Sequence, residues 1–323
     1  MVTAEQVTQA YRLFLCREPE SADVVASYCQ ATQTLDQLSR IFASSPEFLR
    51  RMGSTLEKAQ SARHRHSFCL PKIAVETQVS PEALEQMFGR IHQQWEQLGA
   101  TEPFWSVVTQ PQHYMAEFEL HREHFYASGN ALCKTFLATL RRCGLGTAQR
   151  GVCLEVGCGV GRVTGHLAGA FHKIIAADIS SRHLALAHGY LEGRGIDNVE
   201  YQHWPTAEHM QRLGQVDAIF CVITLQHNPP PVMAWMLMTL LARLGPGGVA
   251  YFQIPTYRTG YVFEAERYLA SKTNTTMEMH YLPQPEVFRL LAEANCQCVE
   301  VREDGMAADD DQLLSSTFMV QKC

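Results

Sequence analysis

From Gly151 onward, short apolar runs alternate with amphipathic segments. Val152–Val156, Lys173–Asp178, Val199–His203, Val216–Val222 and Val249–Ile254 read as five strands. The stretches Gly161–Ala170, 181–194 and Pro231–Leu244 between them read as helices, and Gly245–Gly248 as a turn. Such alternation predicts a doubly wound, mostly parallel sheet covered on both faces. The end differs, with a helix at 284–295, a strand near 297–303 and a last strand at Ser316–Val320. The short spacing of those two strands predicts an antiparallel hairpin appended to the sheet, for seven strands in all with the last antiparallel.

Residues 1–148 carry a helical period instead. Val7, Tyr11, Leu13 and Phe14 recur at helical spacing, as do Leu35, Leu38, Ile41 and Phe42. Ser80-Pro81-Glu82 gives an N-cap, a proline at the first helical position and an early acid, and Met87, Ile91 and Trp95 follow at intervals of four. The predicted organisation is therefore a helical module at 1–52, a linker at 53–79, a helical cap at 80–148 and an α/β domain at 149–323.

Composition narrows the function classes. A net charge of −6 offers no means of neutralising a phosphate backbone, and the basic run Arg63-His64-Arg65-His66 is too short to change that, so no nucleic-acid partner is expected. No apolar run approaches the roughly 20 residues of a membrane span. The N-terminus lacks a basic, then apolar, leader. Eleven cysteines are scattered through apparent core segments, which fits reduced thiols in a cytoplasmic protein. No second cysteine pair stands at zinc-ligand spacing beside Cys296-Gln297-Cys298, and no paired acids suggest a magnesium site, so no metal is expected.

The informative motif is Glu155-Val156-Gly157-Cys158-Gly159-Val160-Gly161, which follows a predicted strand and opens a helix. Side chains at the glycines would obstruct the tight turn and hold a ligand off the backbone. Asp178 ends the next strand, 17 residues after Gly161, where a carboxylate can accept hydrogen bonds from both hydroxyls of a ribose. A dinucleotide fingerprint would have a third glycine where Arg162 stands, and Glu155 would face a pyrophosphate unfavourably. An amino-acid ammonium would be attracted to it. S-adenosylmethionine offers that ammonium, one ribose and no phosphate.

This segment resembles motifs I and II of class I S-adenosylmethionine-dependent methyltransferases, whose sheet is Rossmann-like. The resemblance implies Glu155, Gly157, Cys158, Gly159 and Gly161 around the methionyl part, Asp178 at the ribose and Ile179 beside the adenine. Leu225-Gln226-His227 and Leu244-Gly245-Pro246-Gly247-Gly248 are further matches. Many relatives place an acid or amide after the third strand; here that region reads His203-Trp204-Pro205, leaving Trp204 either to stack on the base or to pack in the core. Glu102–Val107 and Phe125–Gly129 resemble segments preceding motif I in a bacterial subset of the family. That implies Tyr126 and Gly129 closing over the methionyl end and Trp105 lining the pocket; plain helix packing is the alternative. Residues 10–48 resemble a small helical module found beside bacterial glycan-modifying enzymes, where the pattern often has glycine in place of Cys16.

Methyl transfer is an in-line displacement at an activated sulfonium, so proximity and alignment dominate, with a base assisting an oxygen acceptor. His227, after the fourth strand, is the first candidate base, with a structural role as its alternative; His280 and Tyr281 come second. Tyr257, Tyr261 and Tyr268 lie in an insertion at 255–279 that reads as a lid or as packing. Arg162 reads as a surface residue, with anion binding as the other option, and Asn228-Pro229-Pro230-Pro231 as a helix start rather than an amino-methylation motif. The sequence thus predicts O-methylation of a sugar, glycolipid or other small hydroxylated acceptor. The helical N-terminal region is the candidate surface for any oligomer. The competing reading is a non-catalytic scaffold that retains the fold.

Overall fold

The computed structural model describes residues 2–49, 71–146, 151–271, 277–307 and 312–323. The basic run at 63–66 and residues 53–70 of the expected linker lie outside them. The chain divides into two compact units, Met1–Pro71 and Lys72–Cys323.

In the first unit, helix α1 (Ala4–Ala10) starts from a reciprocal cap: Thr3 Oγ1 accepts the Gln6 amide at 3.3 Å and Gln6 Oε1 accepts the Thr3 amide at 3.0 Å. It continues as a π-helical segment over Tyr11–Leu15 and stops at Cys16, whose φ of 51° is left-handed. Helices α2 (Ala22–Ala31) and α3 (Leu35–Ala43) start at Ser21 and Thr34. Val7, Tyr11, Leu15, Leu38 and Phe42 form the core. Leu13, Leu35 and Ile41, counted in the apolar repeat, are exposed because they lie off that face.

In the second unit, helices α4 (Pro81–Thr101) and α5 (Phe118–Arg142) precede a seven-stranded sheet. Its strands are β2 (Val152–Val156), β3 (Lys173–Asp178), β4 (Val199–His203), β5 (Val216–Cys221), β6 (Leu244–Arg258), β8 (Cys296–Asp304) and β9 (Leu313–Lys322). The spatial order is β4-β3-β2-β5-β6-β9-β8, with β9 alone antiparallel to its neighbours. The expected antiparallel hairpin, β8 with β9, is thus appended at the β6 edge, with β9 on the inner side.

Alternating side chains sort the strands onto two faces. Leu154, Val156 and Ile175 pack with Met87, Phe88 and Ile91 of α4, while Cys153, Ile174 and Phe220 pack with Cys133, Phe136 and Leu140 of α5. The two long helices therefore belong to the core of this unit.

Several boundaries depart from the sequence reading. The helix expected at Gly161–Ala170 is the short α6 (Thr164–Ala168), since Gly161 at φ 83° still belongs to the turn. Helix α7 spans Ser181–Glu192, α8 Ala207–Gln211, and α9 Pro230–Leu241, three residues shorter at its end than expected. Strand β6 absorbs the turn expected at 245–248 and continues to Arg258, because β9 pairs with it as far as Leu313.

The rest of the insertion is tied to residue 76 and its neighbours: β1 (Ala74–Val75) pairs in parallel with β7 (Val262–Phe263), and Glu76 Oε2 accepts the first amide of α10 (Ala265–Ala270) at 2.6 Å. Helix α11 (Gln284–Glu293) leads into β8. No described helix is long and apolar enough to cross a membrane.

Candidate functional site

A cleft of about 1060 Å³, open to solvent, lies at the carboxyl ends of β2, β3, β4 and β5, where an open α/β sheet binds ligands. Of the predicted site residues, Glu155, Gly157, Cys158, Gly159, Asp178, Ile179, Trp204 and His227 line it together. Tyr126, Gly129, Gly161 and His280 are not among its lining residues.

The loop after β2 is shaped by positive φ at Gly157 (72°), Gly159 (54°) and Gly161 (83°). Each glycine answers to a different neighbour. A Cβ on Gly157 would meet Thr224 Oγ1 at 2.3 Å, one on Gly159 would meet Val107 at 2.7 Å, and one on Gly161 would meet Ala187 of α7 at 3.2 Å. Gly161 therefore serves close packing of loop on helix. Asp178 holds the loop from the other side: Oδ2 accepts the Gly159 amide at 2.8 Å and Oδ1 the Ser180 amide at 2.9 Å.

Glu155 is buried, and its Oε2 has no hydrogen-bond partner. Burial pushes its carboxyl up to about 8; Thr164 and Arg162 pull the other way and the Asp178 charge adds to the rise. A carboxyl in that state gains from a cation arriving in the cleft. Arg162, read from the sequence as a surface group, instead lines the cleft with its Nε buried and unpartnered. Burial lowers its affinity for a proton, opposed by Glu155. Its Nη1 donates to Ser128 Oγ at 3.1 Å.

His227 follows β5 in a 3₁₀ turn, Leu225–His227. Its Nδ1–H donates to the Glu278 carbonyl at 2.8 Å, which leaves Nε2 as the acceptor, facing the Gln226 amide at 3.3 Å. Burial lowers its pKa to about 4, so the ring is neutral at pH 7, with its one in-plane lone pair on Nε2 facing Gln226. The turn before it is strained: Ile223 adopts φ 58°, a conformation that costs a β-branched residue about 1–2 kcal/mol. Gln253 Oε1 fixes that residue by accepting its amide at 3.1 Å.

His280 is committed elsewhere. Tyr261 donates to its Nδ1 at 2.8 Å and its Nε2–H donates to Glu278 Oε2 at 3.1 Å, with Tyr268 on the same oxygen at 2.9 Å. Desolvation works against the Glu278 carboxylate, yet the bonds from His280 and Tyr268 bring its pKa below the usual value. Tyr281, the companion candidate, is buried with its hydroxyl accepting from Arg258 at 3.0 Å.

Tyr126 stacks on Tyr190 with ring centroids 3.4 Å apart, and its carbonyl accepts from His166 at 3.0 Å. A Cβ on Gly129 would sit 2.1 Å from the Arg162 carbonyl oxygen, so this glycine lets α5 approach the loop backbone. Trp105 stacks on Tyr114 at 5.3 Å, while its neighbours Ser106 and Val107 line the cleft. Trp204 both lines the cleft and belongs to the core, its indole N–H bonded to Gln202 at 3.1 Å.

The sequence reading missed His183 and Trp95. His183 is buried in the cleft wall, with Nε2 on Ser106 Oγ at 3.0 Å and an unpartnered Nδ1 3.8 Å from Asp178 Oδ1. Its place one turn after Ser180 was the available signal. Trp95 meets His227 edge-on at 5.2 Å, a contact with no signal in the sequence between.

Residues 153–248 match the methyltransferase-domain family. Two ubiquinone biosynthesis O-methyltransferases are similar over 100 residues, that of Acinetobacter baumannii at 28% identity and that of Aromatoleum aromaticum at 31%. Each match covers 31% of this chain, and the chain spans about two-fifths of the length of these relatives, 41% and 42%. Among solved structures, magnesium protoporphyrin IX methyltransferase from Synechocystis PCC 6803, crystallised with S-adenosylhomocysteine, superposes with a TM-score of 0.51 at 13% identity. That superposition covers 73% of this chain and all of the other. The fold is the Rossmann-like methyltransferase fold, and residues 153–248 carry the similarity to methyltransferase domains.

Proposed function

We propose that the protein transfers the methyl group of S-adenosylmethionine to an oxygen of a small hydroxylated acceptor, of which sugars and glycolipids are the leading class. The observation that carries this reading is one cleft holding the glycine turn, Asp178, the unpartnered Glu155 and a neutral His227. In it Asp178 takes the ribose hydroxyls, Glu155 attracts the ammonium, and Ile179 and Trp204 flank the adenine. Gly157, Cys158 and Gly159 let the backbone approach the methionyl chain. The residues fit the cofactor because Glu155 needs a cation and the glycines leave room for one.

The cofactor brings the activated methyl group. The chain supplies alignment, a largely apolar wall and a proton acceptor at His227 Nε2, whose tautomer is fixed by the Glu278 carbonyl. His280 supports that wall by donating its backbone amide to the Gln226 carbonyl at 2.8 Å. The oxygen preference follows from the neutral His227 imidazole in the cleft and from the likeness to O-methyltransferases. The sugar preference rests on the likeness of residues 10–48 to modules beside glycan-modifying enzymes, and the same helices are the candidate surface for self-association.

Incubation with radiolabelled S-adenosylmethionine and panels of glycans, phenols and amines tests the proposal. Label on glycan hydroxyls is the expected result. Label only on amines contradicts the oxygen assignment, and label only on phenols removes the sugar class.

A further inference from the structure

We propose that His92, Glu96 and His203 bind one divalent first-row transition cation, zinc foremost, at a site beside the cleft. His92 and Glu96 stand four residues apart on one face of α4, and His203 ends β4. Glu96 Oε1 lies 3.5 Å from His92 Nε2 and 3.4 Å from His203 Nε2, and one ligand atom from each residue falls within 4.8 Å of the others. Ligands at about 2.0–2.2 Å from a tetrahedral zinc stand about 3.3 Å apart, so small side-chain shifts close the set.

Two further observations fit a ligand here. His92 Nε2 is buried with no hydrogen-bond partner. The Glu96 carboxylate is already aimed, because the Ser181 amide donates to Oε1 at 2.7 Å and the Ser181 hydroxyl to Oε2 at 3.1 Å. Such outer partners orient ligating carboxylates. His203 Nε2 lies 3.1 Å from the Ile179 carbonyl. Metal binding takes the lone pair of that nitrogen and leaves the proton on Nδ1, so His203 exchanges a hydrogen bond for a coordination bond. Two imidazoles and one carboxylate suit zinc, with water completing the shell. The spacing of single residues at 92, 96 and 203 explains why no sequence motif announces the site. The ion would join α4 to the strand end that leads into Trp204.

The test is calorimetric titration of the chelator-treated full chain with zinc sulfate, alongside His92→Ala, His92→Gln and His203→Ala. The expected result is one bound equivalent whose affinity falls about tenfold or more in each variant, with circular dichroism confirming that the variants are folded. The same site filled with cobalt(II) should show ligand-field bands without thiolate charge transfer. Absence of a bound equivalent, a bound equivalent unchanged in all three variants, or a thiolate band overturns the proposal. None of these readouts depends on the methyltransferase assignment.

Discussion

The Asp178 carboxylate accepts the Gly159 amide at 2.8 Å, so the residue proposed to grip the ribose also shapes the loop that the ribose would lie against. Its second oxygen accepts the Ser180 amide at 2.9 Å, at the start of α7. Loop geometry and cofactor recognition are thereby coupled through one side chain.

Asp178→Ala should leave two buried amides without acceptors. The expected cost is about 1–3 kcal/mol of stability per lost partner, with a larger fractional loss of S-adenosylhomocysteine affinity. Urea unfolding together with calorimetry checks both. Unchanged affinity in a folded variant would contradict the ribose assignment.

His227→Ala should lower turnover by about 100-fold or more, the usual worth of a positioned base, with little change in cofactor affinity. The wild-type turnover should show no protonation limb from this residue between about pH 5 and pH 8, because burial holds its pKa near 4. The unfolded chain takes up that proton first, with a pKa near 6.5. The contribution of His227 to stability is therefore present above pH 6.5 and is lost as pH falls towards 4, by up to about 3 kcal/mol. Retained turnover in the alanine variant would remove His227 as the base.

Glu155 gives a proton-linkage prediction. Its carboxyl titrates at about 8 when buried and unpartnered, so it is largely protonated at pH 7. An ammonium bound beside it favours the carboxylate, and cofactor binding should release up to one proton. Titrations in buffers of different ionisation enthalpy measure that number. No release in wild type, or the same release in Glu155→Gln, would separate Glu155 from the ammonium.

Gly129→Ala should cost about 2 kcal/mol or more, since the added methyl would collide with the Arg162 carbonyl rather than with a movable side chain. Thermal unfolding checks the loss. A variant as stable as wild type would mean that α5 can retreat from the loop freely.

The centre of the sheet was legible because β2, β3 and β5 are short apolar runs, each stopped by a turn. The glycine loop was legible because Gly157, Gly159 and Gly161 mark φ values that other residues avoid. Less was visible where distant segments meet. The place of β9 between β6 and β8 depends on pairing across the whole C-terminal region. Arg162 looked like a surface residue because it stands in the turn before α6, where helical periodicity says nothing about what covers it. His183 and Ser106 meet at 3.0 Å from 77 positions apart, a closure that only the packing of α4 and its following loop on α7 brings about. His280 follows the aromatic insertion read as a lid over the acceptor, yet Tyr261 and Glu278 occupy both of its ring nitrogens.

The most direct measurement is a crystal structure of the protein grown with S-adenosylhomocysteine. The account predicts the ribose hydroxyls on Asp178, the ammonium at Glu155 and the sulfur on the His227 side of the cleft. A ligand seated away from the 155–161 loop, or a cleft left empty at saturating ligand, would contradict it.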